Sequence, residues 1–217
     1  MIELDREGDV FVLRMREGEN RFSLAWLDAV EAALDRVQAS EGPVALVTTG
    51  DGKFYSNGMD LDWLASAPAR AGEYLQMIYH VLGRVLSFPA VTVAAVNGHA
   101  FGGGAQLAVA HDFVIMRADR GYWCMPEADL GLPLTPEYMS LLRAKLPGRT
   151  LHEALVTGRR YGGLDARAAG IVHQVASEDE VLPQSIELAA ELVGKHRSTL
   201  AEHKRLMYGE AINALLS

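Results

Sequence analysis

Residues 91–106, VTVAAVNGHAFGGGAQ, constrain this chain more than any other stretch. An uninterrupted apolar run ends at Asn97-Gly98, and three consecutive glycines then open into an Ala/Leu/Val-rich segment. That order predicts a buried strand over Val91–Val96, a tight turn, and a helix over Gly103–Ala110 whose first turn is almost bare of side chains. Such a helix start presents free N–H groups and the positive end of the helix dipole. Glycine lets a ligand atom approach the backbone and permits dihedrals closed to other residues. The turn suits a negatively polarised oxygen, either a phosphate or the oxyanion of an activated carbonyl.

The flanking pattern predicts an α/β core. Val10–Met15 reads as a strand, with residues 2–4 as its hairpin arm. Ser23 caps a helix whose Leu24, Leu27, Val30, Leu34 and Val37 recur at helical spacing. Gly42-Pro43 ends that helix before a buried strand over 44–49, completing a strand–helix–strand unit and implying a parallel sheet. Residues 50–58, GDGKFYSNG, read as a glycine-rich loop, followed by a short helix over 60–65 capped by Asp60 and a longer one over 71–87. Strands are expected over 113–116, 121–123 and 171–175. Thr150 with Glu153, Ser177 with Glu180, and Thr199 with Glu202 have the spacing of capping boxes. From about Leu134 onward the pattern turns helical, dividing the chain into an α/β core over 1–133 and a mostly helical region over 134–217.

Two ligand classes compete for the glycine turn, and composition weighs on the choice. The formal net charge is −8, and no Lys/Arg cluster offers the basic patch a nucleic acid needs. The run Gly102–Gly104 lacks the later glycine of a dinucleotide fingerprint, and the next strand ends in Arg117 where an acidic residue belongs. No GxxxxGK[ST] loop is present. An acyl oxyanion requires two converging N–H donors, so a second glycine loop after a neighbouring parallel strand is the natural complement. Gly58-Met59, after the strand at 44–49, supplies it.

The one cysteine, Cys124, excludes an intrachain disulfide and suggests a reducing compartment. The charged N-terminal stretch is no signal peptide, no apolar run reaches membrane-spanning length, and the C-terminal residues are not Ser-Lys-Leu. The cytoplasm is therefore expected. The histidines show no metal-ligand spacing; His99 and His111 read as structural and Cys124 as inert.

The motifs, taken together, identify a resemblance. Residues 54–61 (FYSNGMDL), 89–110, 125–131 (MPEADLG) and 154–172 match, in order and spacing, the crotonase (enoyl-CoA hydratase/isomerase) superfamily. The resemblance implies a spiral of ββα turns followed by helices that build a homotrimer or dimer of trimers, with a shortened last helix. It implies an acyl-coenzyme A substrate and no metal, flavin or nicotinamide, coenzyme A being part of the substrate. By the same resemblance the N–H groups of Met59 and Gly103 form the oxyanion hole. Asn57, Gly58, Leu61, Gly102, Gln106 and Leu130 are the expected substrate-binding residues.

The acid/base groups then select the reaction. Hydratases of the family use two glutamates; this chain has Gln106 at the first position and Glu127 at the second. An amide orients water but accepts no proton at neutral pH. One glutamate suffices to take a proton from C2 of a 3-enoyl thioester and return it at C4, as the Δ3,Δ2-enoyl-CoA isomerases of the family do. The segments SNGMDL, NGHA and EADLGLP are most similar to the plant-type branch of these isomerases. Trp123, Met125, Leu130, Leu132 and Leu134 are the expected apolar wall around Glu127, raising its pKa. Asp129 and Glu137 are alternative acids, and Trp63 and Leu64 are candidates for an acyl tunnel. An enoyl-CoA hydratase and a non-catalytic acyl-CoA-binding protein whose glycines serve packing are the competing readings; the turn after Glu127 (Leu132-Pro133-Leu134-Thr135-Pro136) departs from the glycine-rich turn of hydratases and changes one wall of the acyl pocket.

Overall fold

The computed structural model describes all residues, 1–217. A hairpin of β1 (Ile2–Glu7) and β2 (Val10–Met15) precedes α1 (Leu24–Ala39). Three successive turns then follow one plan, a strand in a large sheet, a short strand in a small sheet, and helix. The first has β3 (Ala45–Gly50), β4 (Phe54–Ser56), α2 (Leu61–Ser66) and α3 (Ala71–Leu86). The second has β5 (Val91–Val96), β6 (His99–Phe101) and α4 (Gly103–Ala110), and the third β7 (Phe113–Arg117), β8 (Trp123–Cys124) and the one-turn α5 (Glu127–Leu130). Then come α6 (Pro136–Lys145), α7 (Gly148–Thr157), α8 (Gly163–Ala168), β9 (Gln174–Ala176), α9 (Val181–Leu192) and α10 (Arg197–Leu216).

The large sheet has the order β1-β2-β3-β5-β7-β9 and is parallel except for the first pair. The small sheet, β4-β6-β8, is wholly parallel. Both faces of the large sheet are covered, which explains why β3 and β5 read as continuous apolar runs rather than alternating ones. One face packs Val10, Val12, Val47, Val93 and Ile115 under Val181 and Ala189 of α9. The other packs Leu13, Leu46 and Ala94 with α1, α3 and α4 in the main core. Because β9 and α9 complete this sheet, the helical region shares the core of the strand-rich one. No helix is long and apolar enough to cross a membrane.

Local chemistry accounts for most boundaries. Ser23 accepts from the Trp26 N–H at 3.2 Å and Asp60 from the Trp63 N–H at 3.2 Å, so both predicted caps form. The three capping boxes do not. Thr150 lies inside α7 and donates to Ala169 O at 2.6 Å, while α9 starts only after Glu180 and Thr199 falls within α10. The start of α10 is fixed instead by Arg197, which donates to Ser40 O at 2.8 Å and Gln38 O at 2.7 Å. The strand expected over 171–175 begins at Gln174, because the Ile171 N–H closes α8 on Ala166 O at 2.8 Å. That expected over 121–123 shifts to Trp123–Cys124, Gly121 being held at φ +93°. The short strands β4 and β6 replace segments that read as loop and turn.

A buried cation ties the last helix to the sheet. Lys204, 3% exposed, donates to Phe88 O and Ala90 O at 2.8 Å each and to the Asp112 carboxylate at 2.7 Å. Asp112 also accepts from the Thr92 N–H at 2.8 Å. Removing one partner of a buried pair strands the other charge at a cost of about 3–5 kcal/mol. Lys204→Ala is expected to lose stability of that order in urea unfolding. Arg205→Ala, which breaks an exposed pair with Glu202, is expected to change it by less than about 0.5 kcal/mol.

Candidate active site

The two glycine loops meet at the ends of β4 and β6. A Cβ on Gly58 would lie 2.6 Å from Gly103 N, and one on Gly104 would lie 2.2 Å from Ser56 O. These distances leave no room for any side chain, so the backbones of the two loops touch directly. Gly102 takes φ +52° and starts α4 with no side-chain cap. Gly103 occupies the first helical position, where an N–H has no acceptor within the helix. The Met59 N–H donates to no group of the protein.

The Gly58 loop is braced by the segment before α1. The buried Asn20, at φ +49°, donates to Tyr55 O at 3.1 Å and receives the Ser56 hydroxyl on its own carbonyl at 2.7 Å. Ser56 in turn accepts from the Gly58 N–H at 3.1 Å, and the Phe22 N–H donates to Gly58 O at 2.8 Å. Behind it, Thr48 of the large sheet joins the Tyr55 hydroxyl at 2.8 Å and His111 Nε2 at 3.0 Å. His111 Nδ1 lies 2.8 Å from Leu107 O, and burial lowers its pKa to about 4, so it is a neutral structural link.

A cleft of about 360 Å³ opens over this junction. Met59, Gly102, Gly103, Phe101, Pro126 and Glu127 line its floor and sides. Asn57, Leu61, Leu130 and Leu132 line it with Arg21 and Asp62, which pair at 2.6 Å. Seven of the residues picked out by sequence are thus brought together: Glu127, Met59, Gly103, Asn57, Leu61, Gly102 and Leu130. Gly58 supports the floor from behind.

Gln106 does not line the cleft. One turn into α4, it is buried, with its Oε1 lacking a partner. Of the expected apolar wall, Leu130 and Leu132 line the cleft, whereas Trp123 and Met125 are wholly in the core. Trp123 Nε1 donates to Ala105 O at 3.0 Å, which turns its ring under α4. Trp63 meets Tyr74 at a tilt, ring centroids 4.8 Å apart, and, like Leu64, packs against the core instead of lining the cleft. The Asp129 carboxylate sits against Gly158, away from the cleft. Burial raises the Cys124 thiol to about 11, consistent with an inert residue. Arg21 and Phe101 escaped notice as site residues. Arg21 is isolated in sequence from every motif, and only the bridge between Arg21 and Gly58 delivers it.

Glu127 opens α5, and its side chain points at the glycine turn: Oε1 is 3.4 Å from where a Cβ of Gly102 would stand. Its Oε2 is buried with no hydrogen-bond partner. Burial raises the pKa to about 7, only partly offset by its own backbone N–H. The arrangement places a carboxyl of near-neutral pKa in one cleft with the backbones of Met59 and Gly103.

A model of the enoyl-CoA hydratase/isomerase family matches residues 5–215. The chain belongs to that family. It is 34% identical to enoyl-CoA delta isomerase 2, peroxisomal, of Arabidopsis thaliana, over 99% of this chain and 95% of the relative. Identity to enoyl-CoA delta isomerase 3 of the same plant is 38%, over 90% of this chain and 86% of the relative. A crystal structure of a probable enoyl-CoA hydratase from Mycobacterium tuberculosis superposes with TM-score 0.92 at 27% identity, covering 99% of this chain and 91% of that one. A second structure, an apo enoyl-CoA isomerase, gives 0.91 at 27%, covering 99% and 93%. The three ββα turns and the C-terminal helices are therefore the crotonase fold of this enoyl-CoA hydratase/isomerase family.

The raised pKa carries a stability consequence. A carboxyl with a folded pKa near 7 and an unfolded one near 4.5 binds more protons in the folded state, so its contribution falls as pH rises between those values. Glu127→Gln removes that penalty. The variant is expected to melt higher than the wild type at pH 8, by about 1–3 kcal/mol or several degrees, and equally at pH 4. Differential scanning calorimetry at the two pH values checks this.

Proposed function

We propose that this enoyl-CoA hydratase/isomerase family member moves the double bond of a 3-enoyl-CoA thioester to the 2 position. The observation that carries the reading is that Glu127 is the one carboxylate in the cleft outside a salt bridge, since Asp62 is paired with Arg21. The relatives named enoyl-CoA delta isomerase support it. The thioester oxygen sits between the Met59 and Gly103 N–H groups, and the Glu127 carboxylate takes a proton from C2. The electron pair delocalises over the thioester and the former double bond as a dienolate, its oxygen charge held by the two N–H groups. The proton then passes from Glu127 to C4, the double bond settles between C2 and C3, and the carboxylate is regenerated. No water is consumed and no redox change occurs, so coenzyme A as part of the substrate is the only cofactor the reaction needs.

Hydration is the second reading, favoured by the hydratase descriptions of some structural neighbours. It needs a second acid/base group, and the position that would supply it is the buried amide of Gln106. A homotrimer or dimer of trimers is proposed on the family resemblance alone. The single cysteine supports a reducing compartment; one of the two plant relatives is named peroxisomal, which leaves the cytoplasm as one such compartment among others.

Wild-type protein is expected to isomerise 3-hexenoyl-CoA faster than it hydrates 2-hexenoyl-CoA; hydration outpacing isomerisation severalfold contradicts the reading. Glu127→Gln is expected to lower kcat by roughly 10²–10⁴-fold with thioester binding retained. Because the base must be deprotonated, kcat/KM is expected to rise with pH and level off above a limb near 7. A limb near 4.5, or an active Glu127→Gln variant, overturns the assignment of Glu127.

A further inference from the structure

The cleft is lined by both charged and apolar side chains, and one of the apolar ones leads into the core. Arg21, Asp62 and Asn57 stand at the rim, where a charged carrier can remain in water. Met59 lines the cleft and packs, partly buried, against the core. Behind it lies Tyr138 of α6, 3% exposed, whose hydroxyl donates to the Met59 sulfur at 3.7 Å. Tyr138 is close enough to Glu127 that the carboxylate's charge adds to burial in pushing its phenol up.

The tyrosines around Tyr138 are fixed. Tyr79 meets its ring edge-on at 4.8 Å and shares a hydrogen bond with Thr135 at 2.7 Å. Tyr74 donates to Phe22 O and accepts from the Asp60 N–H, both at 2.8 Å. Tyr138 alone has a thioether as its hydroxyl's partner. Methionine is unbranched and a weak acceptor, so Met59 holds the Tyr138 hydroxyl less firmly than Thr135 and Phe22 O hold those of Tyr79 and Tyr74. At about 360 Å³ the cleft is also near the lower end of ligand pockets, about 300–1,000 Å³.

We infer that the Met59–Tyr138 contact is a stop that restricts this site to short acyl chains, of hexanoyl rather than decanoyl length. The inference rests on the thioester reading above. A chain anchored with its carbonyl at the Met59 and Gly103 N–H groups and its C2 at Glu127 extends inward, and Met59 and then Tyr138 block it. Met59 thereby has two separable parts, a backbone N–H facing the thioester oxygen and a side chain that measures the acyl tail.

Binding of saturated hexanoyl-CoA and decanoyl-CoA, followed by calorimetry, tests the stop without requiring turnover. The wild type is expected to bind hexanoyl-CoA at least tenfold more tightly than decanoyl-CoA. Met59→Ala is expected to narrow that ratio at least fivefold by opening space. Tyr138→Phe keeps the ring and releases the sulfur, and is expected to narrow it by a smaller factor; melting curves verify that both variants are folded. Equal binding of the two thioesters by the wild type overturns the stop and leaves the thioester reading intact, as does an unchanged ratio in folded Met59→Ala. Failure to bind either thioester overturns the thioester reading itself and the stop with it.

Discussion

The backbone of Gly58 rests on the backbone of Gly103, and that contact determines most of what this molecule can do. Two parallel strands of a small sheet deliver two loops to one point, and the loops close only because Gly58, Gly103 and Gly104 carry no Cβ. An alanine at Gly104 would place a methyl 2.2 Å from Ser56 O, inside the backbone of the neighbouring turn. Everything around the junction serves to hold it. Asn20, in a left-handed conformation that asparagine tolerates better than most residues, ties the first loop from below. Thr48, Tyr55 and His111 join the large sheet, the small sheet and the end of α4 in one hydrogen-bonded line.

Over that rigid floor the cleft holds a group that the fold does not satisfy. Glu127 buries a carboxylate oxygen without a partner, a costly arrangement in a protein whose other buried charges are paired. Lys204 and Asp112 illustrate the usual solution, with each charge met by the other and by backbone groups. The contrast separates a charge met by its partners from one left without any. A carboxylate stabilised by an arginine would be a poor base at neutral pH, whereas one desolvated by burial keeps the affinity for protons that the proposed enolisation requires. On the proposed reading, function costs stability at a single side chain.

Much of the fold was legible in the chain because its strongest signals are steric. The apolar run at Val91–Val96 and the glycines after it appear at the predicted positions, as do the Ser23 and Asp60 caps. The short strands β4 and β6 were not legible, since three residues flanked by glycine and asparagine resemble a turn until a neighbouring strand pairs with them. The capping boxes failed because Ser/Thr-x-x-Glu is a local spacing, while the starts of α7 and α10 are set by Pro147 and by the long-range bonds of Arg197. In the site, the glycine loops carried their own signal, whereas Glu127 was singled out only through the family resemblance. Arg21 and Tyr138 carried no signal, because each reaches the site region only through tertiary packing. Gln106 was informative through what it cannot do, and its amide lies under the cleft floor rather than in it.

The central claim is that one carboxylate both removes and returns the proton. The most direct test uses 3-hexenoyl-CoA carrying deuterium at C2, with the label located in the 2-hexenoyl product by NMR after single turnover. The account predicts that a substantial fraction of the product carries deuterium at C4, moved there by Glu127 within the shielded cleft. Product whose C4 hydrogen comes entirely from solvent, or label lost into a 3-hydroxyacyl thioester, would contradict it.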